Sequence, residues 1–373
     1  MPQIEILPVT TARDLREFML LPWKIYHGDP YWVPPLIMDL KKLFDKKKHP
    51  FFEHSEVDFF LARRNGEYVG RIAAILNNNH NKFHNERCAF FGFFESVNDQ
   101  EVASALLEKA ASWGRERGMT VLRGPANYSS NDMWGLLTEG FDSSPVIMMT
   151  YNPRYYVDLI ESAGFVKAME LYAWWFSKEQ GLNPKILRVG EKVLQEHNIT
   201  IRTLNMKKFW EEVEIVKRIY NDAWSNNWGF VPMTDAEFEF MAKELKPVVN
   251  PRLVLFAERE GEPVGFSLSL PDFNLALKKI NGRLLPFGIF KLLYHARRIK
   301  QLRVVTLGVV RKLQSVGGIG SALYMETFRQ GAAAGFETGE FSWTLENNIP
   351  INRGMELLGA RIYKRYRLYD RPL

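Results

Sequence analysis

Alternating apolar and polar positions recur in two similar stretches of the chain. FFLARRNGEYVGRIAA (59–74) and LVLFAEREGEPVGFSL (253–268) each predict two strands joined by a two-residue turn. The turns are Asn65-Gly66 and Glu260-Gly261, and each is followed by Glu, any residue, Val and Gly. Asn-Gly favours a tight hairpin because both central residues need a positive φ. The two turns are 195 residues apart, which indicates an internal repeat.

Two further anchors repeat at nearly the same spacing. Late in each half a predicted helix ends at a glycine, Gly164 or Gly359, and a predicted strand follows. These glycines are again 195 residues apart. Upstream, IYHGDPYWVPP (25–35) matches IYNDAWSNNWGFVP (219–232) at offsets of 194 to 198. We interpret the chain as a tandem duplication of one α/β unit, with domains at 1–180 and 181–373.

Each unit is predicted as a strand, two helices, a hairpin, a further strand, a helix, a strand, a helix and a last strand. The halves differ by insertions at 124–150 and 273–300. Residues 177–198 join the halves and predict a loop and a helix, whose apolar face consists of Ile186, Val189, Val193 and Leu194.

Composition narrows the class of protein. The chain has 373 residues, 46% of them apolar, which fits two domains with their own cores. Cys88 is the single cysteine, so an internal disulfide is excluded and a reducing cytoplasm is expected. The first residues, MPQIEILPV, do not predict a signal peptide. No stretch reaches the roughly 18 uninterrupted apolar residues of a membrane span.

The net charge of +6 fits an anionic ligand such as a nucleotide cofactor, and also RNA or a membrane surface. Basic residues cluster at 41–48 and 291–303, where the alternative is a solvated helix face. Insertion 273–300 mixes apolar and basic residues. It is interpreted as a membrane-surface helix, as a wall of an acceptor tunnel, or as a helix packed on the other domain.

The stretch RKLQSVGGIGSALYMETF (311–328) follows an apolar run and opens a predicted amphipathic helix. A strand, a glycine-rich turn and a helix N-terminus together can bind a phosphate. The repeated element order resembles the GNAT superfamily of acyl-CoA-dependent N-acyltransferases along nearly the whole chain. This resemblance implies two tandem α/β (α+β) units, each a mixed, mostly antiparallel twisted sheet flanked by helices.

In GNAT proteins the CoA pyrophosphate lies on a loop of pattern Q/R-x-x-G-x-G/A. Here Gly318, Ile319 and Gly320 match G-x-G, and Ser321 and Ala322 begin the helix. The Gln/Arg position is Ser315, or Gln314 if Gly317 or Gly318 is an insertion. The resemblance implies that acetyl-CoA or another acyl-CoA also binds to the backbone of 307–310 and to basic and asparagine residues nearby. These residues are Leu307, Val309, Val310, Arg311, Lys312, Asn347 and Asn348.

The first half lacks this loop. Its strand AFFGFFES (89–96) leads into VNDQEVASALL, where Asp99 or Asn98 is a predicted N-cap. Glu101 adds a negative charge that disfavours phosphate binding at a helix N-terminus. One cofactor site, in the second half, is therefore expected.

Acyl transfer to an amine needs a base, and a carboxylate serves in GNAT proteins. The candidates are Glu346, Glu340 and Asp222, each with a surface role as the alternative. The tyrosine acid that the family often has is replaced by Met355. Tyr363, Tyr366 and Tyr369 lie on the last strand, but alternate residues of a strand face opposite sides, and Tyr363 is the candidate acid. Asn347 and Asn348 are equally interpreted as helix caps.

His80, His84 and Cys88 are four residues apart. On a helix they would lie on one face and could bind zinc. Their Asn-rich surroundings instead predict a loop between two strands, and a metal-free protein is expected.

The leading hypothesis is a cytoplasmic acyl-CoA-dependent N-acyltransferase, an N-acetyltransferase, acting on a small-molecule amine; DNA is not an expected partner. The alternatives are a non-catalytic acyl-CoA-binding or interaction protein and a transferase that uses aminoacyl-tRNA.

Overall fold

The two predicted hairpins form as expected. In a computed structural model that describes residues 3–373, the strands on either side of each turn pair antiparallel. Asn65 and Glu260 both take left-handed backbone angles, with φ of 52° and 54°. The second turn therefore has the geometry of the first although its leading residue is a glutamate, a residue type that seldom occupies this region.

The elements of the first half include all those that its pattern predicts, together with a helix at 78–84 and three short strands in insertion 124–150. They are β1 (Glu5–Pro8), α1 (Ala12–Ile25), α2 (Ile37–Leu43), β2 (Ser55–Arg64), β3 (Glu67–Asn77), α3 (Asn78–His84), β4 (Cys88–Ser96), α4 (Gln100–Glu116), β5 (Val121–Gly124), β6 (Ala126–Asn127), β7 (Met133–Trp134), β8 (Leu136–Glu139), α5 (Tyr156–Ser162) and β9 (Val166–Ser177).

The second half repeats the predicted order, with two added helices in insertion 273–300 and a short added helix at 311–314. Its elements are α6 (Pro184–Glu196), β10 (Ile199–Thr203), α7 (Phe209–Ala223), α8 (Asp235–Leu245), β11 (Val254–Arg259), β12 (Glu262–Pro271), α9 (Asn274–Leu277), α10 (Gly288–Ala296), β13 (Gln301–Val309), α11 (Arg311–Gln314), α12 (Ile319–Ala333), β14 (Thr338–Leu345), α13 (Ile349–Leu358) and β15 (Arg361–Pro372).

Each half contributes a five-stranded antiparallel run with one parallel step. In the first, β1, β2, β3, β4 and β5 lie in chain order, and β4 and β5 are parallel. In the second, β10 to β14 lie in chain order, and β13 and β14 are parallel. The predicted fold class, a mixed and mostly antiparallel sheet flanked by helices, is confirmed.

The two compact units of the chain exchange their last strands. The first unit contains the chain up to Glu170, with Leu277–Leu292 and Arg365–Leu373; the second contains Leu171–Ala276 and Leu293–Lys364. In the second unit β9 pairs with β14, and in the first unit β15 pairs with β5 and β8. The predicted boundary near residue 180 divides the two sequence repeats. Each compact unit, in contrast, contains segments from both repeats.

One local prediction needs correction. Residues 78–84 were predicted as loop but form α3, because the Asn77 side chain accepts a hydrogen bond from the His80 N–H and caps the helix. In insertion 124–150, residues 126–127 and 133–134 pair as β6 and β7 and form a short hairpin. The predicted joining helix is α6, with Ile186 and Val193 buried.

Candidate active site

A cleft opens where the two parallel strands of the second unit separate. Strands β13 and β14 pair from Gln301–Thr338 to Val304–Phe341 and no further. On its other side β13 stays paired with β12, which matches Ser269 with Val304 and Leu268 with Thr306. Val305 is therefore an extra residue, a bulge that bends β13 away from β14. The backbone groups of β13 beyond Val304 lie along this cleft.

The glycine-rich stretch forms a turn at the end of β13. Gly317 and Gly318 both have positive φ, of 70° and 80°, and Gly318 is the N-cap of α12 with no side-chain cap hydrogen bond. The first N–H groups of an α-helix have no partner within the helix and carry its positive dipole. A Cβ on Gly320 would have Leu307 as its nearest neighbour, 4.0 Å away. The helix N-terminus thus lies beside the cleft.

The joining helix fixes this turn in place. A Cβ on Gly190 of α6 would lie 3.3 Å from the Ala322 Cα, so α6 and α12 pack backbone to backbone. A Cβ on Gly318 would lie 3.2 Å from Val189 and Val193 of the same helix. Because a larger residue fits at neither position without displacement, the turn is held between α6 and β13.

Two predicted site residues position the start of the turn. The Asp222 carboxylate accepts hydrogen bonds from the Arg311 backbone N–H at 2.7 Å and from its Nε at 3.3 Å. The Gln314 amide donates to the carbonyl groups of Val309 and Ala223. Asp222 is therefore engaged with the loop, and Lys312 and Ser315 are exposed.

A buried polar cluster lies one residue before the cleft. Glu340 is fully buried and pairs in register with Arg303. The Tyr363 hydroxyl donates to one Glu340 carboxylate oxygen, and the other oxygen, Oε1, has no hydrogen-bond partner among residues 3–373. Burial raises the pKa of Glu340, with Arg303 opposing this effect. The cluster thus offers a carboxylate with a free oxygen and a raised proton affinity.

The other predicted site residues lie between β14 and α13 or within α13. Asn348 caps α13 by accepting from the Ile351 N–H, and Asn347 is exposed. Glu346 directly follows β14, and Met355 is fully buried in α13. The sequence reasoning did not single out Arg303 or Lys364, which is also fully buried. For Arg303 the signal was a charge within an apolar strand pattern, since charges are seldom buried without partners. Lys364 lies in a strand with several other charges, so its sequence carried no such signal.

The corresponding place in the first unit is filled. Asp99 caps α4 as predicted, and the Arg64 guanidinium bonds to both Asp99 and Glu101. Pairing of β4 and β5 also ends early, at Phe90–Arg123, but β6 lies against β4 there. A Cβ on Gly92 would be only 1.9 Å from the Ala126 carbonyl oxygen. The chain itself therefore fills the space beside β4 where the two parallel strands separate.

His80, Glu86 and Cys88 come together, with their ligand atoms within 4.8 Å of one another. His80 lies 3.0 Å from Glu86, and the Arg123 guanidinium donates to the same carboxylate at 3.0 Å. Burial lowers the pKa of His80 to about 4 and raises that of the Cys88 thiol. The geometry makes this a hydrogen-bonded cluster in which an arginine lies where a cation would bind.

Among the described residues, no helix is both long and apolar enough to cross a membrane.

Solved structures with the same fold include two that contain GNAT units. A tandem GNAT protein from the clavulanic acid biosynthesis pathway is 11% identical with a TM-score of 0.55, covering 99% of this chain and 98% of its own. A GCN5-related glucosamine N-acetyltransferase region of a fungal multi-domain β-N-acetylglucosaminidase is 12% identical with a TM-score of 0.57, covering 100% of this chain and 38% of its own. The predicted GNAT resemblance is confirmed.

Sequence relatives are similar over their whole length, although no family model matches the chain. The bacterial ceramide synthase of Caulobacter vibrioides is 37% identical over 376 residues, covering 99% of this chain and 98% of that protein. Protein YghO of Escherichia coli is 34% identical over 366 residues, covering 96% and 93%. The chain therefore has the tandem GNAT fold and belongs to the family that includes these two proteins.

Proposed function

We propose that this protein transfers a fatty acyl group from acyl-CoA to the primary amine of a long-chain amino alcohol. The observation that carries the proposal is its 37% identity, over 98% of the relative's length, with a protein named bacterial ceramide synthase. A ceramide is the amide of a fatty acid and a long-chain amino alcohol. This substrate pair keeps the predicted reaction, N-acylation, and replaces the predicted acetyl group with a longer chain.

The second unit supplies groups suited to each step. The N-terminus of α12, opened by Gly317 and Gly318, would bind the CoA diphosphate, because its N–H groups lack a side-chain cap. Backbone N–H groups of β13 in the cleft would polarise the thioester carbonyl. The first unit has no comparable turn and contributes no cofactor site in this proposal.

Glu340 and Tyr363 would handle the protons. The amine nitrogen attacks the thioester carbon, a C–N bond forms and the C–S bond breaks. The proton leaving the nitrogen goes to Glu340, whose raised pKa suits it to accept one. Tyr363, which already donates to Glu340, protonates the departing thiolate and is reprotonated from Glu340. The products are an amide and free CoA, and no further reactant is needed.

The test is a transfer assay on the purified full chain. Hexadecanoyl-CoA and a C18 2-amino-1,3-diol are expected to give the amide, detected by mass spectrometry, together with one equivalent of free CoA thiol. The matched control acceptor is the C18 1,3-diol without the amine, which should release no thiol. Transfer to short polar amines in preference to the C18 amine would contradict the proposed acceptor class.

A further inference from the structure

An apolar groove begins where the cleft ends. It lies in the second unit between the sheet and α12. It is narrow, with a cavity volume of about 50 Å³, and one side is open to solvent. Val304 and Phe341, the last paired residues of β13 and β14, both line it. Leu302, Phe328, Gly331 and Ala332 extend the lining away from the cleft. A chain that emerges from the cleft therefore meets hydrocarbon surface immediately.

Small residues and satisfied polar groups keep the groove apolar and unobstructed. A Cβ on Gly331 would lie 3.1 Å from Leu302, so a larger residue there would press into the lining. Two helix residues of the lining carry hydroxyl groups. The Thr327 hydroxyl shares a hydrogen bond of 3.1 Å with Ser267, and the Tyr324 ring packs edge-on against Phe341. Charged groups, Lys178 and Glu337, also line the groove, near the strand end remote from the cleft.

The groove and the Glu340 side chain lie on opposite faces of the sheet. Successive side chains of a strand point to opposite faces. Leu302, Val304 and Phe341 face the groove on the α12 side, so Arg303 and Glu340 face away from it. The amine must reach Glu340 from that opposite face, whereas the thioester arm arrives from the N-terminus of α12.

We propose that this groove binds the fatty acyl chain of the acyl-CoA, and that the chain of the amine acceptor lies elsewhere. The inference rests on the proposed function and specifies its acyl substrate as long-chain. Burial of each further methylene in such a groove favours binding, so long chains should bind more tightly than acetyl.

The test is Ala332→Trp, a change at a partly exposed helix position whose new side chain would fill the groove. Calorimetry is expected to show hexadecanoyl-CoA binding weakened at least 20-fold and acetyl-CoA binding unchanged; Ala332→Ser is the matched control. Unchanged acetyl-CoA binding also verifies the fold. Equal binding of both thioesters by wild type, or equal loss of both in the variant, would overturn the assignment.

Measuring acyl-CoA binding and amide formation separately distinguishes a failure of this inference from a failure of the proposed function. Chain-length-dependent binding that Ala332→Trp removes supports the groove even if no amide forms with any amine. Amide formation that depends on the length of the amine but not of the acyl chain would leave the proposed reaction standing and reject the groove as the acyl site.

A second, independent feature is a protruding apolar tip in the first unit, formed by residues 283–291. Its apolar side chains are unusually exposed: 79% for Leu285, 71% for Phe287 and 68% for Phe290. Arg283 and Lys291 are exposed in the same segment, and Lys279 precedes it. Soluble proteins seldom expose adjoining large apolar side chains without a partner.

The base of this tip is fixed. The Trp23 indole donates to the Asn281 side chain at 2.9 Å, and the Ile37 N–H donates to the Gly282 carbonyl at 3.0 Å. Gly282 has a φ of 75°, and a Cβ there would lie 2.7 Å from both Trp23 and the Pro35 carbonyl. The tip is therefore presented on a rigid support.

We infer that the tip inserts into the interface of an anionic membrane. Apolar side chains with lysine and arginine beside them match a bilayer surface in which acyl chains lie below anionic headgroups. A protein partner would also cover apolar residues, but the flanking cations favour the lipid surface.

The test is flotation of the full chain with vesicles of phosphatidylcholine alone or with 30% phosphatidylglycerol. Wild type should bind the anionic vesicles, and Phe287→Asp with Phe290→Asp should reduce the bound fraction at least tenfold. Phe83→Asp is the control, because Phe83 is 43% exposed in α3 and lies outside the tip. Equal binding of the double variant, or no binding of wild type to anionic vesicles, would overturn the inference.

Discussion

Replacing Gly320 with aspartate is expected to weaken acyl-CoA binding by roughly 100-fold or more. A carboxylate at the second position of α12 would lie where the diphosphate is proposed to bind, and two like charges a few Å apart repel strongly near a protein surface. The site has room for a Cβ, since the nearest atom is Leu307 Cδ2 at 4.0 Å. The loss should therefore come from charge at the ligand site, and calorimetric titration with acyl-CoA measures it.

Gly320→Asn is the matched control for this experiment. Asparagine has nearly the same shape as aspartate and no charge, so it should retain most of the binding. Thermal unfolding of both variants should lie close to that of wild type, because an acidic residue is tolerated in the first turn of a helix. Tight binding of acyl-CoA by Gly320→Asp would contradict the site and reduce the turn to a structural connection.

Glu340→Gln is expected to lower the rate of amide formation about 100-fold or more while leaving acyl-CoA affinity unchanged. Removing a general base typically costs this much, and Glu340 lies away from the glycine turn. Steady-state and single-turnover rates, with binding measured in parallel, test the expectation. Glu346→Gln is the competing variant. A large loss in Glu346→Gln with normal rates in Glu340→Gln would assign the base to Glu346.

The burial of Glu340 also predicts how the rate of amide formation and the stability of the protein depend on pH. Because burial raises the pKa of Glu340 and the base works only when ionised, the wild-type rate should rise with pH in a range above that of an ordinary glutamate. For stability, a carboxyl with a raised folded pKa contributes stability below its unfolded pKa and loses it as pH rises through the folded pKa. Glu340→Gln should therefore remain at least as stable as wild type at neutral pH.

Local signals in the sequence predicted much of the fold. The turns at Asn65-Gly66 and Glu260-Gly261, the cap at Asp99 and the helix over 184–196 all depend on neighbouring residues. Such features can be predicted because short-range backbone preferences determine them. The helix α3 was missed because the capping role of Asn77 was not recognised among several asparagines.

Long-range pairing could not be predicted in this way. Glu340 and Tyr363 were both candidates from the sequence, but their hydrogen bond joins different strands and depends on how those strands are ordered. The same holds for Arg303 opposite Glu340, which requires the parallel register of β13 and β14. Alternation of side chains specifies the face of a strand but not its neighbour.

Because the last strands are exchanged, the two units obtain their complete sets of strands at different times during translation. The first sheet receives Arg365–Leu373, so it lacks that strand until these residues, which follow both sequence repeats, have been synthesised. The second sheet, in contrast, has its exchanged strand, Leu171–Ser177, before its own strands are made. Domains usually fold as units during synthesis, N-terminal first. Here the second unit can be completed as it emerges, and the first unit keeps an open strand edge until residues 365–373 have been synthesised. Neither sequence half, expressed alone, would contain all strands of a unit. The exchange is also the pattern expected when a strand-swapped homodimer is joined into one chain by gene fusion.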